Sequence, residues 1–178
     1  MMESVYWKTE LFPAADAIEA RQRCLRWTEK QAVMLERDIM IAMFCVRSLI
    51  ERHKITQLLA KKPILVVAYP IHKGKRVHLF NQCDINELYD MEHPVERQLG
   101  LAFLSNQIIH SYIIFPRKNL EKKRFTHLLV CSDFERNNQL FEVSIEDLIA
   151  VMREVGMNYP TEIHFKYDKE KRDYRPII

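Results

Sequence analysis

Glycine is scarce in this sequence: 3 among 178 residues, beside 7 prolines and 4 cysteines. So few glycines leave no Gly-rich phosphate loop, which disfavours a nucleotide-binding α/β enzyme. G-x-S-x-G and H-E-x-x-H are also missing, which disfavours a serine hydrolase and a zinc protease. Cys24, Cys45, Cys83 and Cys131 are scattered, with no C-x-x-C between them. That spacing suggests neither a zinc site nor a disulfide frame, so no metal and no other cofactor is expected. No apolar run approaches the ~20 residues of a membrane helix, and no membrane contact is expected. A signal peptide is not recognisable either. With unpaired cysteines, this predicts a cytoplasmic protein.

What remains is an ordinary folding composition, 48% hydrophobic and 29% charged. The length suits a single domain over 1–178, which buries roughly 70% of its unfolded surface without staples. The net charge of +3 permits contact with nucleic acid but does not demand it.

Hydropathy patterning predicts an α+β protein: a helical bundle core with inserted or appended antiparallel β hairpins. Residues 13–62 read as helical. Pro13 suits a helix start, and no glycine or further proline interrupts the chain before Pro63. Leu35, Ile39, Ala42, Met43, Val46, Leu49 and Ile50 recur at spacings of three and four, so two helices are expected at about 13–31 and 33–54, or one long bent helix. ILVVAYP, the turn HKGK and RVHLF predict a β hairpin over 63–81. Pro94 is read as opening one long helix over 94–115. FTHLLVCSD and LFEVS predict a second hairpin within 125–157, followed by a helix that Ser144 caps and Gly156 ends. The tail, 158–178, carries a charge run and is expected to be partly ordered at best.

The stretch that asks for an explanation is SNQIIHSY, Ser105–Tyr112, set between apolar flanks. On the expected helix, Asn106 and His110 are one turn apart and share a face with the apolar stripe. An imidazole is the natural general acid or base near neutral pH, and an amide beside it can orient it or hold a phosphate. The same pair also suits an interhelical hydrogen bond that fixes packing. Nearby, Arg47 and Glu51 are spaced to pair on a helix surface. Arg47 or Asp38 could instead turn toward the His110 helix and complete a polar pocket.

SNQIIHSY resembles the signature of the HEPN superfamily. These are small helical-bundle proteins of toxin–antitoxin, antiphage and RNA-processing systems. Their signature is an arginine, usually followed by Asn or another polar residue, then a His a few residues on, often with a Tyr two places later. Asn106, His110 and Tyr112 match the polar residue, the His and the Tyr, while Ser105 stands where the arginine would be. The resemblance extends over the helices of roughly 33–60 and 95–115. It implies a motif helix facing its mate across a homodimer, forming a metal-independent ribonuclease site. A guanidinium holds a scissile phosphate by two hydrogen bonds and steadies transition-state charge, which serine cannot do. Arg47 is the candidate substitute. Arg47 and His53 also fit the loose arginine-to-histidine spacing of the signature.

Two basic runs complete the candidates. His72, Lys73, Lys75 and Arg76 lie in the first expected hairpin, and Arg117, Lys118, Lys122, Lys123 and Arg124 in the connector before the second. Clustered cations on turns can grip RNA phosphates, or be merely solvated. Cys131-Ser132-Asp133 has no base beside it and is read as core plus turn. The expectation is a HEPN-like protein that contacts RNA or a protein partner without cleaving, in a defence or stress system. It would self-associate through the 94–115 helix. The alternative is a metal-independent endoribonuclease, with His110 as general acid/base, Asn106 orienting, and Tyr112 and Arg47 assisting.

Overall fold

A computed structural model describes residues 3–24, 28–119, 121, 124–161, 165–170 and 172–176. The class is α+β. The chain runs α1 (Ser4–Thr9), α2 (Leu11–Gln22), α3 (Glu29–Glu51), α4 (Gln57–Ala60), β1 (Pro63–Pro70), α5 (Ile85–Leu88) and β2 (Val95–Gly100). It continues through α6 (Leu101–Ile109), β3 (Ser111–Asn119), β4 (Arg124–Ser132), β5 (Gln139–Ser144), α7 (Ile145–Met157), β6 (Phe165–Asp168) and β7 (Asp173–Pro176). The first five strands form one antiparallel sheet in the order β2-β1-β5-β4-β3. The strands thus belong to one sheet at the centre, not to hairpins hung on a bundle.

Several local expectations need correction. The two helices expected at 13–31 and 33–54 are α2, Leu11–Gln22, and α3, Glu29–Glu51, and a short α1 precedes them. Thr28 sets the second boundary: its hydroxyl accepts the Gln31 N–H and caps the helix early. The 63–81 hairpin does not form. Both edges of β1 are already taken, by β2 and β5, so RVHLF has no strand to pair with. It forms a loop instead, in which the Val77 N–H donates to Asn137 Oδ1. The 94–115 segment is strand, helix, strand. Its periodic apolar residues fit a helix locally, but β2 finds β1 and the β-branched Ile113 and Ile114 find β4. Pro116 is tolerated there because β3 is an edge strand. The 125–157 expectation matches β4, β5 and α7, with the Ser144 hydroxyl accepting the Asp147 N–H. In the tail, β6 pairs with β7 as a two-stranded ribbon.

Alternation along the strands sorts the core. Ile64, Val66, Ala68, Leu128, Val130, Phe141 and Val143 turn to one face and pack under α2, α3, α6 and α7. Tyr69, Ile113, Leu129, Cys131 and Leu140 turn to the other, where Val77, Leu88 and Tyr89 of the β1–β2 connection cover them. The N-terminal segment docks at the end of α7. The Lys8 ammonium is buried, donates to the Asn158 carbonyl and lies 3.9 Å from the Tyr159 ring centre. Gly156 permits this approach, since a Cβ there would meet the Phe12 ring at 2.8 Å. No helix among the described residues is long and apolar enough to cross a membrane.

Both core layers hold acids that burial keeps protonated. Burial pushes the Cys45 and Cys131 thiols up to about 11, and the Tyr89 phenol above its ordinary range. Tyr89 donates to the Arg136 carbonyl at 2.6 Å beside Cys131. A raised pKa in the folded state means that the unfolded chain loses its protons first as pH rises. Stability should therefore be full below the ordinary thiol range near ~8.5 and fall toward pH 11, by up to about 1.4 kcal/mol per unit for each group. Urea denaturation across this window checks the slope, which Cys131→Ala should reduce.

Candidate functional site

Among the clefts on this fold, two hold the candidate polar clusters, one between helices and one on the sheet. The first lies between α3 and α6 and contains the SNQIIHSY stretch. Phe44, Arg47, Ser48, Glu51, Asn106, Ile109 and His110 line a space of about 490 Å³. Arg47 Nε donates to Asn106 Oδ1 at 2.9 Å, and Arg47 Nη2 meets Glu51 Oε1 at 2.8 Å. Arg47 therefore turns to the helix that carries Asn106, while Asp38 pairs with Arg21 at 2.8 Å. His53 follows the end of α3 in the left-handed region, at φ 54, and edges the Phe165 ring 6.3 Å away. It does not line this cleft.

The amide and imidazole do not share the apolar face, as a single long helix would require. The buried face of α6 is Leu101, Leu104, Ser105, Gln107 and Ile108. Asn106 is half-buried, and His110 is the exposed C-cap, because the helix stops at Ile109. Each polar side chain of α6 has its own partner. Ser105 Oγ donates to the Leu101 carbonyl, Asn106 accepts from Arg47, and Gln107 Oε1 accepts the Ser132 N–H. Tyr112 goes elsewhere. A bulge between Ser111 and Ile113 sets it apart from His110, with the Arg136 guanidinium stacked 3.9 Å from its ring centre.

The second cleft gathers Arg117 and Lys118 of the basic connector with residues that the sequence did not join to them. It lies on the sheet face opposite the helices, past the edge of the loop cover. Arg117, Lys118, Asn119, Glu121, Thr126, His127 and Glu142 line a space of about 460 Å³. Glu142 is its floor, 8% exposed in the central strand β5. A buried carboxylate costs several kcal/mol unless it is paired and hydrogen-bonded. Glu142 Oε2 accepts from the Tyr69 hydroxyl and from Arg117 Nη1, the latter at 2.7 Å. Arg117 Nη1 also reaches the Tyr69 hydroxyl at 3.1 Å. Burial, then the Glu142 carboxylate beside it, raises the Tyr69 phenol. Burial alone would lower the Arg117 guanidinium, but the charge of Glu142 and the Tyr69 hydroxyl carry it upward.

A second bulge aims His127 into this cleft. Arg117 pairs with His127, but Lys118 pairs with Phe125, so Thr126 is the extra residue of β4. Thr126 and His127 both line the cleft, while Phe125 turns into the helix-covered core. His127 Nδ1 lies 2.9 Å from Thr126 Oγ1 and 3.6 Å from Glu142 Oε1. The ring is thus oriented by a hydroxyl and faces a carboxylate.

The basic candidates are dispersed. Lys73, Lys75 and Arg76 are exposed on the loop that follows β1. Arg124 pairs with Glu146 at 2.9 Å, at the start of α7. Lys122 and Lys123 lie outside the described residues. Among the described residues, no group of three or more His, Cys, Asp or Glu side chains is placed to hold a metal ion. The chain matches no family model, no curated protein and no solved structure.

Tyr69→Phe removes one donor from a buried carboxylate. It should lower stability by about 1–3 kcal/mol in urea denaturation. Adding Glu142→Leu removes the buried charge as well and should recover part of the loss. An unchanged midpoint for Tyr69→Phe alone would show that Glu142 does not depend on the phenol.

Proposed function

We propose that this chain is a non-cleaving, RNA-contacting interaction protein, HEPN-like in its SNQIIHSY stretch and serving a defence or stress system. The observation that carries the non-cleaving part is the pairing of Arg47. Its charge is met by Glu51 and its Nε is committed to Asn106. His110 sits exposed at a helix end, and nothing among the described residues bonds its ring. General acid–base catalysis on a phosphodiester needs an imidazole in a set orientation and a cation free to meet developing charge. This cleft holds its arginine and amide already paired, and leaves its imidazole without a partner among the described residues.

RNA contact is supported by the exposed cations. Lys73, Lys75 and Arg76 stand on one loop and Lys118 near the end of the edge strand β3, where phosphates can reach them. Self-association through α6 and a cytoplasmic setting belong to the same proposal. Phe103, 40% exposed, is the apolar anchor that α6 offers a second copy. Cys45, Cys83 and Cys131 are free thiols, as a reducing compartment would keep them.

The endoribonuclease reading keeps one specific support: Arg47 reaches Asn106 beside His110, in the role that Ser105 cannot fill. The two readings separate on one preparation. The purified protein, with no metal added, should bind single-stranded RNA with an affinity that falls steeply with salt, and leave total RNA intact. Cleavage that His110→Ala abolishes, without loss of folding, would establish the ribonuclease. Absence of salt-dependent binding would remove RNA contact from the account.

A further inference from the structure

The Tyr69–Glu142–Arg117–His127 cluster is unlike the rest of the surface. Its acid is buried, its donors face solvent, and a strand bulge is spent on aiming one of them. Arg117 is 47% exposed and commits Nη1 inward to Glu142 and Tyr69. The fork is thereby held from behind, with its remaining edge toward the cleft. His127 is held the same way, with Nδ1 against Thr126 and Glu142, so Nε2 is the nitrogen left to point outward. Lys118 follows Arg117 on β3 and lines the same space.

We infer that this cleft is a seat for a phosphate group. Arg117 would supply a planar pair of donors, Lys118 a point charge, and His127 and Thr126 shorter-range hydrogen bonds. Glu142 does not touch the ligand. It is a positioning residue that fixes Arg117 and His127 before the phosphate arrives, which lowers the ordering cost of binding. Its own charge is met by Arg117, and among the described lining residues Glu121 is the one other carboxylate. The groups that face solvent are therefore mainly donors, which suits an anion and opposes a metal cation.

The phosphate can come from an RNA strand or from a small phosphorylated molecule. The first source rests on the RNA-contacting reading above; the second does not. Backbone amide NMR shifts of the intact protein distinguish them, with inorganic phosphate, AMP and a short single-stranded RNA titrated separately. Arg117→Ala would strip a buried carboxylate of its cation, so the variants are Lys118→Ala and His127→Ala, whose side chains face solvent. Inorganic phosphate and AMP should shift the amides of Lys118, Thr126 and His127. Each variant should weaken AMP binding about tenfold, the loss of one ionic or charge-assisted contact. Shifts at these amides with RNA as well would make a strand the source. Shifts with AMP and none with RNA would keep the seat and refute the RNA reading. RNA binding that leaves these amides unmoved, with no response to phosphate or AMP, would overturn the seat and leave the RNA reading standing. AMP binding of equal strength in both variants would also overturn it.

Discussion

The constraint from which the rest follows is that the two central strands are buried on both faces. From Leu128 to Ser132 in β4 and from Leu140 to Val143 in β5, every residue is inside. Such strands need two covers. The helices supply one over the whole width of the core. The connection from Ile71 to Glu92 supplies the other, and packs over Tyr69, Leu129, Cys131 and Leu140. Where that second cover stops, the sheet must meet water, and Glu142 stands at that margin. Its carboxylate is close enough to the core to need partners and close enough to solvent to have a cleft above it.

The partners of Glu142 explain the neighbouring geometry. Tyr69 reaches it from β1 and Arg117 from β3, so the network ties four adjacent strands across the open part of the face. His127 completes it only because Thr126 bulges out of the β4 ladder. The α3–α6 cleft obeys a different logic. There the polar groups are bonded in pairs that hold α6 to its surroundings: Ser105 to its own helix, Asn106 to α3 and Gln107 to β4. A seam of this kind fixes the placement of a short helix between two strands. The cluster on the sheet instead leaves donor edges exposed.

The legible parts of the sequence were those decided locally. Ser144, Glu146 and Asp147 ahead of an apolar stripe marked α7, and β-branched runs between turn residues marked β1, β4 and β5. The segments that misled were decided by distant partners. Nothing within RVHLF says that both edges of β1 are occupied, and nothing within residues 94–115 says that β1 and β4 will claim its two ends. Arg47 was legible as the partner of Glu51 one turn on, while its reach to Asn106 was only one of two alternatives, because the phase of α6 depends on where the strands cut it short. The cluster around Glu142 was missed because its members sit on separate strands, Tyr69 and Glu142 being 73 positions apart. Two signals pointed to it: a glutamate between Phe141 and Val143, and a histidine within FTHLLV, each a polar group in a strand that reads as core.

The central claim is that ligand chemistry belongs to the open margin of the sheet and not to the SNQIIHSY helix. Ultraviolet cross-linking of the full chain to single-stranded RNA, with the attached peptides identified by mass spectrometry, tests it most directly. Where an RNA strand is the source of the phosphate, the account predicts cross-links on the peptides that contain Arg117, Lys118 and His127. Cross-links confined to the peptides of Arg47 and of Asn106–His110 would contradict it.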